Sequence, residues 1–170
     1  MKILNDQIIV SNLQSNGLWG TQYNYYVYAT MMAGSNVYGL GPVVATLAAK
    51  YYILNFNEQG LGVLGLGLGG NVIDGHVQML PYSKIKQLTI KSKLITLGLA
   101  LNLQIILTDN NDTLNMQVSR SVPTIKQQGP NLQNIRNLFS NGVPQSVQST
   151  TSPQQQVSPI VQEPTSNNQK

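Results

Sequence analysis

The chain has 170 residues, of which 41% are hydrophobic and 9% charged, with ten basic and six acidic side chains. That is enough apolar material for one domain's core, but charge falls far below the roughly 25% of an ordinary soluble domain, so neutral polar side chains must solvate a surface open to self-association. The absence of cysteine excludes disulfides, thiolate nucleophiles, iron–sulfur clusters and Cys-based zinc sites, and a net charge of +4 with only two arginines, Arg120 and Arg136, disfavours a nucleic-acid partner.

The opening Met1-Lys2-Ile3-Leu4-Asn5-Asp6 does not read as a signal peptide, because its apolar run is short and Asp6 interrupts it. From Gln7 to Ala49 there is no charged residue, and Trp19, Tyr23, Tyr25, Tyr26, Tyr28 and Tyr38 form an aromatic cluster. The window Val27 to Leu47 is interrupted by Ser35, Asn36 and several glycines, so it makes a poor membrane span. The expectation for 17–49 is a shallow interfacial segment or a loop covering one end of a sheet.

Tyr51-Tyr52-Ile53-Leu54-Asn55-Phe56 is strand-like, and Asn57-Glu58-Gln59-Gly60 turns it into Leu61-Gly62-Val63-Leu64, a second strand of a hairpin. Gly65, Gly67 and Gly70 match G-x-G-x-x-G, but the following Asn71-Val72-Ile73-Asp74-Gly75-His76 does not read as the helix that a dinucleotide site requires. A flexible strand-to-strand connection is expected there. Met79-Leu80-Pro81-Tyr82-Ser83-Lys84-Ile85 leads into Leu88 and Ile90, and the step of three from Ile85 to Leu88 predicts a bulge or turn that resets the alternation.

The clearest pattern lies between Leu99 and Ser119. Leu99, Leu101, Leu103, Ile105 and Leu107 share one face, with Asn102, Gln104 and Thr108 opposite. After the turn formers Asp109-Asn110-Asn111-Asp112, Leu114, Met116 and Val118 alternate with Asn115, Gln117 and Ser119, which predicts a β-hairpin with one wet face. Gly129-Pro130-Asn131 then opens a short helix whose stripe is Leu132, Ile135, Leu138 and Phe139, with Gly142 placed as its stop. Residues 141–170 hold four of the eight prolines and no aromatic. Such a stretch buries too little apolar surface to offset its ordering entropy, so a disordered tail is expected, with Val157-Ser158-Pro159-Ile160-Val161 as a candidate docking strand.

Lys50-Tyr51-Tyr52-Ile53-Leu54-Asn55-Phe56-Asn57-Glu58-Gln59-Gly60-Leu61, followed by Leu80-Pro81-Tyr82-Ser83-Lys84-Ile85-Lys86-Gln87-Leu88, resembles the bacterial PH-like (pleckstrin-homology-like) domains. In that family a strand ending in a polar turn precedes an "(I/L)-P-Y-x-x-I" entry to the next strand. The 99–119 hairpin and a terminal helix at 131–140 follow in the same order. The resemblance covers about 45 to 140, with a first strand near Ile3 to Val10. It implies a mainly β (α+β) fold, a bent antiparallel sheet or partial barrel capped by one C-terminal helix, within a domain of residues 1–140. It also implies a binding scaffold, since the family shares no catalytic residue set, and function rides on sites rather than folds.

Catalytic parts are few. His76 is the sole histidine and reads as a solvated turn residue; Asp74, two positions away, supplies no positioned nucleophile. Asp109 and Asp112 are explained by turn chemistry better than by a calcium loop. The expectation is therefore no catalytic residue, no cofactor and no metal. The one constellation is basic: Lys84, Lys86, Lys91 and Lys93 around a strand, then Arg120 and Lys126, which together would make a shallow positive surface for a phosphate group or acidic partner. Lys91 and Lys93 should share a face with Gln87 and Thr89. The leading expectation is a non-catalytic interaction module for a protein partner or a second copy, located in the cytoplasm. The other is a protein at an anionic membrane surface, where each lysine contributes about 1 kcal/mol.

Overall fold

The computed structural model describes residues 4–32, 51–67, 70–92, 99–109 and 112–145. Its first element is a helix, α1, over Asp6–Ser15. Asn5 is extended, and its side-chain oxygen accepts from the Ile8 N–H at 3.0 Å, satisfying a donor that the first helical turn leaves unpaired. Ile9 and Leu13, one turn apart, are both buried. The first strand expected near Ile3 to Val10 is thus corrected. The contiguous Ile8-Ile9-Val10 run is β-like by composition, but the cap and the spacing of four bury a helical stripe.

Seven strands follow among the described residues: β1 Asn24–Met31, β2 Tyr51–Asn57, β3 Gly60–Leu66, β4 Val72–Leu80, β5 Ile85–Ser92, β6 Ala100–Leu107 and β7 Thr113–Ser119. They form one sheet in the order β4-β3-β2-β1-β7-β6-β5, with every pairing antiparallel. Among the described residues this sheet is open, with β4 and β5 as its edges. It consists of two meanders, β1 to β4 and β5 to β7. Among the described residues they join through the pairs Thr30 with Gln117 and Met31 with Met116, and through the Met32 N–H, which donates to the Asn115 carbonyl at 2.9 Å.

Over the rest of β1 the meanders diverge, and the C-terminal helix α2, Gln128–Leu138, takes the vacated side. The buried Gln128 amide accepts from the Tyr28 N–H at 2.9 Å and donates to the carbonyls of Tyr28 and Ser119, each at 3.0 Å. Asn131 donates to the Tyr26 carbonyl at 2.9 Å. Two side-chain amides therefore do for β1 what a neighbouring strand would, because buried backbone groups must find partners. Leu132 and Ile135 enter the main core, and Phe139 meets Phe56 and Tyr82 edge-on. The helix starts three residues before the expected Asn131. Gly142, at φ 105°, closes the turn after it.

Two cores result. The larger lies on the inner face, where Leu54 and Phe56 of β2 meet Leu101, Leu103, Ile105, Leu114, Met116 and the α2 stripe. The second lies on the outer face of β1–β4 under α1, and contains Ile9, Leu13, Leu18, Tyr26, Ile53, Leu64 and Leu66. β2 and β3 are consequently buried on both faces.

The hairpin read over 51–64, the one at 99–119 and the irregularity between Ile85 and Gln87 lie where the sequence pattern put them. Leu99, assigned there to the inward face, precedes β6 and is 72% exposed. Three other expectations need correction. Residues 24–31 are an interior strand rather than an interfacial loop, and the strand read over Leu61–Leu64 runs on to Leu66, into the stretch read as a flexible connection. His76 lies within β4 rather than in a turn. Gly60 shows why glycine is needed there: at φ 147°, an added Cβ would collide with the Leu80 carbonyl where the chain leaves β4. The proposed docking strand at 157–161 and most of the 141–170 tail lie outside the described residues.

Candidate binding surface

The basic residues do not converge. Lys84 closes a single 3-10 turn, Tyr82–Lys84, and its ammonium pairs with exposed Asp109 at 2.6 Å. The hydrogen bond and charge of Lys84 hold the Asp109 carboxyl below its usual range. Lys86 sits at the β5 bulge, and Lys91 stands exposed near the far end of that strand. With about 3.3 Å per residue, Lys84 and Lys91 are roughly 20 Å apart. Arg120 joins the Lys91 end, donating to the Ser92 hydroxyl at 3.2 Å. Lys126 belongs elsewhere: its N–H donates to Asp6 of α1 at 2.7 Å, just before α2 begins. Lys93 lies outside the described residues.

β5 itself is the more informative feature. Leu88 and Ile90 pack against the main core but are only half-buried, while Lys91 and Ser92 are exposed. The direction of its backbone groups follows from the ladder. The Arg120 N–H donates to the Leu99 carbonyl and the Leu107 N–H to the Asp112 carbonyl, so odd-numbered residues of β6 bond to β7. Even-numbered residues of β6 therefore bond to β5, and the bond from Thr108 N–H to the Lys84 carbonyl agrees. Their β5 partners are Gln87, Thr89 and Lys91. The N–H and C=O groups of Leu88 and Ile90 consequently point away from β6, toward the side where β5 has no strand neighbour among the described residues.

The other edge differs. Between the pairs Leu66–Val72 and Leu64–Val77, four residues of β4, 73–76, stand opposite Gly65 alone. This bulge contains Asp74, which is exposed, and His76, which is half-buried. Regular pairing on β4 is thus confined to its last four residues, Val77–Leu80. Asp74 and His76 remain near each other in the chain, but no group of three or more His, Cys, Asp or Glu able to hold a metal occurs among the described residues.

The described aromatic residues of 17–49 are buried or half-buried rather than exposed, with Tyr23 stacked on Tyr25 at 5.1 Å. Trp19 and Tyr26 lie 6.3 Å apart and Tyr28 stacks on Tyr51 at 6.0 Å; Tyr26 is buried in the outer-face core, and the other three are half-buried against it. Tyr38 lies outside the described residues. No described helix is long and apolar enough to cross a membrane. An open groove of about 770 Å³ runs between α1 and the β3–β4 turn, lined by neutral groups including Gln7, Ile8, Asn12 and Asn71.

One polar site escaped the sequence reading. Glu58, in the two-residue turn between β2 and β3, is 6% exposed. Burial opposes its charge, yet the Thr21 N–H at 2.6 Å, the Thr21 hydroxyl at 3.0 Å and the Gln22 N–H outweigh it, holding the pKa below the ordinary glutamate value. Asn55 and Asn57 donate to the Leu18 carbonyl at 2.7 and 3.0 Å, fixing the same segment onto the outer face of β2. The available signal was the placement of Asn55 and Asn57 at alternate positions in an apolar strand. This network is structural, because it ties one stretch of the chain to another.

Comparison of the chain with protein-family models, with curated proteins and with solved structures finds no match in any of the three.

Proposed function

We propose that this chain is a non-catalytic PH-like binding module that docks another polypeptide along the open edge of its sheet. The observation that carries the docking reading is β5: an edge strand whose Leu88 and Ile90 backbone groups face outward while their side chains extend the main core. A strand added there gains main-chain hydrogen bonds from one set of groups and apolar contact from the other. The PH-like part is supported by the order of elements, with four strands, then three, then a C-terminal helix lying in the gap between the meanders. β4 is the poorer edge because its bulge interrupts pairing.

The test is selection of displayed peptides on the immobilised full chain, with Ile90→Pro as the control. Proline at this position removes an outward N–H and leaves the β5–β6 ladder bonds in place. Peptides that bind the parent chain should be lost on Ile90→Pro. Size-exclusion chromatography with light scattering covers the self-association version, in which the same substitution should return a dimer to monomer. A chain that stays monomeric at all concentrations and selects no Ile90-dependent peptide overturns the reading.

A further inference from the structure

We infer that the β5 edge takes an extended segment of a different protein, one alternating apolar and acidic residues, in preference to a second copy of β5. This rests on the edge-docking reading and adds the chemistry of the partner. On the inner face, Leu88 and Ile90 are half-buried against the main core, so partner side chains pointing the same way meet apolar surface. On the outer face the neighbouring positions are Thr89 and exposed Lys91, while Arg120, held at the Ser92 hydroxyl, stands at the end of the Leu88–Ile90 row. No Asp or Glu occurs within β5, β6 or β7. Asp109, beside the start of β5, is already engaged by Lys84. Among the described residues the edge thus offers Leu88 and Ile90 on one side and Lys91, with no acid beside it, on the other, and strand alternation turns that into a sequence preference of period two.

A second copy fits worse. Pairing two β5 strands would gather Lys86 and Lys91 from both chains along one seam, and like charges across a strand pair are destabilising. The chain's own 146–170 stretch offers a single acid, Glu163, and none within Val157 to Val161.

The experiment uses the isotopically labelled full chain and three synthetic peptides of equal length, alternating Val with Glu, Val with Ser, or Val with Lys. Hydrogen exchange at the Leu88 and Ile90 amides is followed by NMR. The Val/Glu peptide should protect both amides, bind most tightly and weaken with added salt. Lys91→Glu should weaken it on the order of fivefold and favour the Val/Lys peptide. If Val/Ser binds as tightly as Val/Glu and Lys91→Glu changes nothing, the acidic-partner proposal falls while edge docking stands. If no peptide protects these amides, both fall. Amides already protected in a dimer of the unliganded chain would also overturn the proposal, in favour of a second copy.

Discussion

The two meanders of the sheet solve the problem of burial differently. In β6 and β7, Leu101, Leu103, Ile105, Leu114, Met116 and Val118 are buried while Asn102, Gln104, Asn115 and Gln117 are only partly covered. In β2 and β3, nearly every position is buried, because α1 lies over the outer face and the main core over the inner one. The same backbone arrangement therefore writes two different texts. A strand wet on one side alternates; a strand dry on both sides is a continuous apolar run relieved by glycine and satisfied asparagine.

The sharpest way to break this contrast is to truncate adjacent residues. Ile53→Ala and Leu54→Ala point to opposite cores, and each should cost about 3 kcal/mol of unfolding free energy in denaturant titration. If either is tolerated within experimental error, β2 is not doubly buried. Gln128→Ala comes next. It strips the Tyr28 N–H, Tyr28 C=O and Ser119 C=O of their partner and should cost about 2 kcal/mol, with faster amide exchange concentrated at Tyr28.

Glu58→Gln sharpens the comparison by pH, at about 1.5 kcal/mol near neutrality. The folded pKa lies below the ordinary value of 4.5, so the carboxylate's contribution is fully present above that pH and is lost as pH falls through the folded value. Unfolding curves of parent and variant should therefore converge in acid; a constant gap would show that the charge is not what holds Thr21 and Gln22. The smallest effect belongs to the wet face: Gln104→Ala, which loses one bond to Asn115, should change stability by less than about 0.5 kcal/mol.

This contrast also explains what the sequence made legible. The 99–119 hairpin was readable because its pattern has one dry face, and the bulge before Leu88 because it breaks that pattern. The β2–β3 hairpin was readable from its polar turn even though its strands do not alternate. β1 was misread because a charge-free stretch looks surface-seeking when nothing in it shows that another element will cover it, and α1 was misread as a strand because its Ile8-Ile9-Val10 run is β-like by composition. Tyr26 is buried beneath α1 and donates to Asp6 at 2.8 Å, a contact no local period encodes. The basic residues were legible only in part. Lys91 lies on the Thr89 face as expected, whereas Lys84 turned to Asp109 and Lys126 to the α1 side, both decided by tertiary partners. The outward backbone groups of Leu88 and Ile90 follow from sheet order, which no side-chain pattern states.

Asp6 accepts from the main chain at Lys126 and Gln127, and Gln128 pairs with Tyr28, contacts spanning 120, 121 and 100 residues. A nascent chain leaving the ribosome N-terminus first can form α1 and the β1–β4 meander early. It cannot satisfy β1 until α2 has emerged. Loop closure over such spans is entropically demanding, so docking of α2 should be a late event in folding. Until then β1 presents unpaired backbone groups to its surroundings. A ribosome stalled shortly before Gln128 would hold a species with an extra adhesive edge, the state in which this sparsely charged chain is most exposed to misassembly and most in need of a chaperone.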